Sequence, residues 1–183
     1  MVMVTSETPA SGHESPRQSR PRQVADYLRG LRSILAQTTQ ARQSFIRGTG
    51  ALMEAVRRDE ADEFAKSADG IAFEANSTFR SVHEQLAGMD PPPACEGCHE
   101  AVIAWVEMLM ASADTVSDAG KANQPSRLRE VQGMIAESRV FSARFKTQYD
   151  GLVGQLRARS TTRDKNTRLI DKHKLSGGSA HPS

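Results

Sequence analysis

Both cysteines of the chain fall in one five-residue string, Cys95-Glu96-Gly97-Cys98-His99. C-x-x-C-H is the attachment pattern for c-type haem. The two thiols would bond the vinyl groups and the histidine would give the iron an axial nitrogen, with His83 or Met89 as a source of the second ligand. The same residues support a metal reading, in which Cys95, Cys98 and His99 join His83 around a tetrahedral ion. Neighbouring residues on a helix diverge by about 100 degrees, so Cys98 and His99 fit that geometry poorly. A third reading needs only the dithiol. At a helix N-terminus the macrodipole favours the thiolate, which is the reactive form. In a fourth reading Cys98 and His99 simply fill the end of a helical core, with the imidazole bonded to a carbonyl of the preceding proline-rich turn.

These residues need elements to hold them, and the composition is helical. Only 5% of the 183 residues are aromatic, and runs of Val, Ile, Tyr and Thr that would make strands are almost absent. The first helix starts after Pro21, and its apolar stripe reads Val24, Leu28, Leu31, Leu35, Thr38, Phe45, Leu52, Val56. Arg42 and Thr49 interrupt it, and Gly48 and Gly50 make a kink plausible. The second starts near an acidic cap at Asp59, carries Phe64, Ala68, Ile71, Ala75, Phe79, Val82 and Leu86, and ends at Gly88. Asp90-Pro91-Pro92-Pro93 then forces an extended turn.

The third helix opens near Ala94 with the cysteine motif and continues through Val102, Trp105, Val106, Leu109, Ala113 and Val116. The fourth opens near Pro125 and carries Leu128, Val131, Ile135, Phe141, Phe145, Tyr149, Leu152 and Leu156. Short links between long helices predict antiparallel neighbours. The expected fold is all-α: an antiparallel up-down-up-down four-helix bundle over residues 22–158. A disordered N-terminal segment, 1–21, and a basic disordered tail, 159–183, flank it.

In gross architecture this expectation resembles the cytochromes c′, four-helix bundles with a single C-x-x-C-H. The resemblance implies thioether bonds at Cys95 and Cys98 and an axial His99. In that family the motif lies in the last helix, whereas here it opens the third. The dithiol alone resembles that of all-α peroxide-reducing proteins of the AhpD type, whose histidine follows the second cysteine by four residues. Here that position is Val102. The proline turn followed by a histidine is similar to a pattern in small bacterial helical proteins, and implies no activity.

Charge narrows the partners. Residues 24–156 hold 14 basic and 18 acidic side chains, and residues 157–183 hold seven basic and two acidic. The net charge of +2 therefore comes from the tail, which suits an acidic partner or solubility alone. Arg127, Arg129, Arg139 and Arg144 line the fourth helix without interleaved aromatics, so nucleic acid is not the expected partner. Glu96 to His99 has E-x-x-H spacing, but no second copy exists to complete a di-iron site. Phosphate-loop, nucleophile-elbow and zincin motifs are absent.

No stretch is apolar enough to span a membrane. The first 22 residues lack the apolar core of a signal peptide, so the chain as written is expected in the cytoplasm. A start lying further upstream would make it extracytoplasmic. The leading expectation is a non-enzymatic binding or interaction protein, without cofactor, that meets a protein partner or a second copy of itself. The alternative is a c-type haem or thiol-redox protein acting through Cys95, Cys98 and His99.

Overall fold

The computed structural model describes residues 21–176, with side chains described throughout that span except at 61, 160 and 162–176. Four helices, α1 (Pro21–Arg57), α2 (Ala61–Ala87), α3 (Glu96–Lys121) and α4 (Leu128–Ser176), make up the fold, and no strand occurs among the described residues. Single 3-10 turns, Pro93–Cys95 and Pro125–Arg127, lead into α3 and α4. Each opens with proline, which suits a first turn because its missing N–H is an orphan there anyway. No described helix is long and apolar enough to cross a membrane.

Cross-helix pairs fix the directions. Along α2, Asp69, Asn76 and His83 meet Ser117, Asp114 and Glu107 of α3 in descending order. Thr115 meets Met134 and Glu100 meets Arg144, so α4 runs against α3. Gly48 lies on Ile71 and Gly30 faces Met89, so α1 runs against α2. Met53 reaches Gln132 while Arg42 faces Arg139, which sets α4 antiparallel to α1 as well.

The core is one continuous cluster drawn from all four helices. Its largest fully enclosed side chains include Phe45, Phe64, Phe79, Leu31, Leu52, Leu86 and Leu109. In α1 the buried seam keeps a seven-residue repeat, with Val24, Leu31, Thr38, Phe45 and Leu52 on one line and Tyr27, Ile34 and Ala55 on the other. The sequence stripe placed that second line one residue later. Leu28 is buried as well, but Val56 is 36% exposed while Ala55 is buried. Thr38 and Thr49 sit inside because each hydroxyl donates to the carbonyl four residues back. Gly48 and Gly50 stay within an unbroken helical run.

Several boundaries differ from expectation. Asp59 does not cap α2. It turns the chain with φ 62°, and Glu60 occupies the N-cap position without a side-chain cap bond. Asp tolerates that left-handed region because its short polar side chain bonds locally. Asn123 does the same between α3 and α4 at φ 48°. The backbone of α4 continues helical through 159–176, a stretch assigned above to the tail. It contains neither Gly nor Pro and is rich in Arg, Lys and Leu, all good helix formers. Residues 1–20 and 177–183, the remainder of the two terminal segments, lie outside the described residues.

Helices α2 and α3 approach closely at Gly120. A Cβ there would stand 2.7 Å from the Ala68 Cβ and 3.5 Å from the Ala65 carbonyl. Neither group can move without moving its helix. Gly120→Ala is therefore expected to cost about 1–3 kcal/mol from overpacking, despite the better helix propensity of alanine. Gly70→Ala, with nothing within 4 Å, is expected to stabilise by about 0.5–1 kcal/mol. Urea midpoints of the two variants should move in opposite directions, and a stabilised Gly120→Ala chain would overturn the close approach.

Candidate functional site

The motif closes one end of the bundle. The Cys95 N–H donates to the Pro92 carbonyl at 2.7 Å, which tightens the chain into the 3-10 turn. Cys95 is then the N-cap of α3, and Cys98 is the third residue of the helix. Both are free thiols, 0% and 2% exposed, and both belong to the core cluster. Burial pushes both thiols up, and Cys98, which also feels Cys95, is pushed up to about 11. Burial thus opposes the thiolate that a helix N-terminus was expected to favour.

His99 is half-buried, and its partner is not a carbonyl of the proline turn. Its Nδ1 lies 3.0 Å from the Tyr27 hydroxyl of α1, with the rings edge to face at 6.1 Å. The sequence reading left Tyr27 out of the stripe, although it follows Val24 by three and precedes Leu31 by four. Burial, with smaller contributions from the two cysteines, raises the Tyr27 phenol well above its ordinary value. The hydroxyl therefore stays protonated and can donate to a neutral imidazole.

His83, offered as a metal ligand with His99 or as a second axial ligand, instead faces Glu107, Nε2 to Oε1 at 3.4 Å. No group of three or more His, Cys, Asp or Glu among the described residues is placed to hold a metal ion. Haem attachment requires both sulfurs at the edge of a space as wide as the macrocycle. Here both sulfurs are enclosed by packed side chains, among which interiors leave few voids larger than a water. Gly97 adds to the closure. A Cβ at this position would meet the Gln148 side-chain nitrogen at 2.8 Å, so the missing side chain lets α4 lay Gln148 across the turn. Nothing in the local sequence signalled that contact.

Protonation of His99 carries a testable cost. Burial lowers its affinity for a proton, more than neighbouring Glu100 raises it. Below the ordinary histidine value of 6.5, the unfolded chain takes up a proton that the folded chain resists, so stability falls as pH drops. Above that value both states are neutral and the contribution is flat. The urea midpoint of the parent chain is expected to fall more between about pH 7.5 and 5.5 than that of His99→Gln. Equal falls would remove His99 as the cause.

The basic face of α4 is partly spent within the bundle. Arg127 pairs with Asp118 and Glu130, and Arg144 pairs with Glu100. An opening lies between α1 and α2. Ala41 and Gly48, seven residues apart on α1, flank a cleft of about 400 Å³. Phe45, Ile71 and Ala75 line it together with Gln37, Gln40, Ser44 and Thr78, and Glu74 is its one charged residue. Sequence reasoning marked Gly48 only as a weak point of the helix.

No protein-family model matches the chain, and neither a curated protein nor a solved structure matches it.

Proposed function

We propose that this chain is a non-enzymatic interaction protein that receives a segment of a protein partner in the cleft between α1 and α2. The observation that carries the reading is the make-up of that cleft. Ala41 and Ile71, both half-buried, offer apolar surface above the buried Phe45 and Ala75, while Gln37, Gln40, Ser44 and Thr78 offer uncharged donors and acceptors. Apolar walls with a few placed polar groups are the usual form of a binding cleft. An amide-and-hydroxyl rim suits the peptide groups of a segment that inserts an apolar side chain. A phosphate-rich partner would want cations, and the lining has none.

The test is a photo-crosslinking residue in place of Gln40, in the full chain and in the cells of origin. One discrete protein adduct is expected. It should disappear when Ser44→Arg fills the cleft, while the unfolding midpoint stays unchanged. The mass of the adduct distinguishes a second copy of this chain from a different protein. No adduct, or one indifferent to Ser44→Arg, overturns the reading.

A second proposal keeps the alternative of a c-type haem or thiol-redox protein acting through Cys95, Cys98 and His99. Its support is the position of the dithiol at the N-cap and first turn of α3, where the dipole favours an anion. Chain exported in the presence of haem-maturation machinery would then carry a Soret band, or the native thiols would exchange with small disulfides at neutral pH. Absence of both would sink it.

A further inference from the structure

The two thiols are placed for each other. Three residues along a helix separate Cα atoms by about 5 Å, from a radius of about 2.3 Å and a rise of about 1.5 Å per residue. A disulfide accepts Cα separations of about 4.4–6.8 Å. Cys95 is the N-cap, with φ −105° and ψ −6° in the right-handed helical region, so Cys98 follows it one helical turn later. No third cysteine competes for either partner. The fold that sets the two thiols one turn apart also closes them off. Both are buried among apolar groups, with Gln148 lying across Gly97 between them in sequence.

We propose that Cys95 and Cys98 form a disulfide while the chain is unfolded, by exchange with a small-molecule disulfide such as oxidised glutathione, and that folding then seals the bond. The inference needs neither functional reading above. In the first step one cysteine thiolate attacks a sulfur of oxidised glutathione and expels a glutathione thiolate, leaving a mixed disulfide. In the second, the other cysteine thiolate attacks the protein sulfur of that mixed disulfide and expels the second glutathione thiolate. Two protein thiols are oxidised, one glutathione disulfide is reduced, and the two cysteine protons pass to the departing thiolates. Exchange requires access for an attacking thiolate, which the folded end of the bundle denies in both directions.

The experiment uses the full chain and a glutathione redox buffer. Reduced chain is held in the buffer with urea and then refolded by dilution, and reduced native chain is placed in the same buffer without urea. Both are quenched in acid, unfolded, treated with N-ethylmaleimide and weighed intact. The refolded chain is expected to take up no maleimide and to show no glutathione adduct. The native chain should keep two reactive thiols at least about tenfold longer. Once oxidised and folded, the disulfide should resist reduced glutathione by a similar factor relative to the same chain in urea. Cys95→Ala and Cys98→Ala carry the measurement without requiring a folded product, and each should stop as a thiol or a single glutathione adduct. A refolded parent chain that remains a dithiol, or halts at a mixed disulfide, overturns the proposal. So does a native chain that oxidises as fast as the unfolded one.

Discussion

Phe79→Ala is expected to destabilise the bundle by about 3–5 kcal/mol. Phe79 is 0% exposed and meets Phe45 edge to face, with ring centroids 6.2 Å apart and planes at 88°. The substitution removes a whole ring from the interface of α1 and α2, and helices of this length can collapse onto the void only by shifting along their axes. Part of the loss is transfer free energy, part is the cavity, and about 0.5–1.5 kcal/mol is the aromatic pair itself. Set against a total stability of about 5–15 kcal/mol for an ordinary domain, one such change consumes much of the margin. Phe73 supplies the contrast. It lies on the same helix, is 77% exposed, and its replacement by alanine should move stability by no more than about 0.5 kcal/mol. Urea unfolding of both variants checks the pair. A small effect at Phe79, or a large one at Phe73, would mean that α2 is rotated about its axis from the orientation described.

That test bears on how the sequence was read. In α2, Phe64, Ala68, Ala75, Phe79, Val82 and Leu86 were assigned to the core by spacing alone and are buried, whereas Ile71, assigned with them, is half-buried and its neighbour Ala72 is enclosed. Their face is narrow and apolar, so a pattern of threes and fours leaves one position open, the adjacent pair Ile71 and Ala72. In α1 two registers were open, because Tyr27 and Leu28, Ile34 and Leu35, and Ala55 and Val56 are adjacent apolar pairs. Hydrophobicity favoured the aliphatic member of the first pair and the larger of the last. Packing in the bundle encloses Ile34 and Ala55 in place of Leu35 and Val56, and Tyr27 beside Leu28, so that the positions of a seven-residue repeat with Val24 and Leu31 are kept. A repeat of that period holds one face toward a partner helix over many turns. The choice of register thus depended on the neighbour and not on α1.

The site followed the same rule. That Cys95, Cys98 and His99 open α3 beside a proline turn was legible, because Pro93 and the acidic first turn mark a helix start. Which way His99 turns was not, since the imidazole had acceptors and donors available from two elements. Tyr27 reaches it from α1, 72 positions earlier in the chain. The cleft was equally out of reach. Ala41 and Gly48 are seven residues apart, and the cleft beside them depends on what α2 sets opposite: Ile71, which lies on Gly48, lines it with Ala75 and Thr78.

Native Cys98 is expected to react with a thiol-specific reagent at least about a hundredfold more slowly than an ordinary cysteine at the same pH. Reactivity follows the thiolate fraction, and below pH 9 each unit added to the pKa removes a factor of about ten. Burial has pushed Cys98 up to about 11 from an ordinary 9.0, which supplies that factor before access is considered. Access acts in the same direction, since a residue 2% exposed presents almost no sulfur to a reagent larger than water. The measurement is absorbance of released thiol reagent from reduced chain at about pH 8, in buffer and in urea. Two fast equivalents are expected in urea, with only slow release in buffer at a rate set by opening of the bundle end. Tyr27→Phe offers a finer probe. It removes the hydroxyl that ties α1 to His99 while keeping the ring in the core, so local opening at this end should become more frequent and native labelling faster. Fast labelling of the parent chain without urea would reverse the picture, making the pair an accessible, activated dithiol and favouring the redox reading. Slow labelling that speeds up in Tyr27→Phe would instead identify the contact between α1 and His99 as the latch over both thiols.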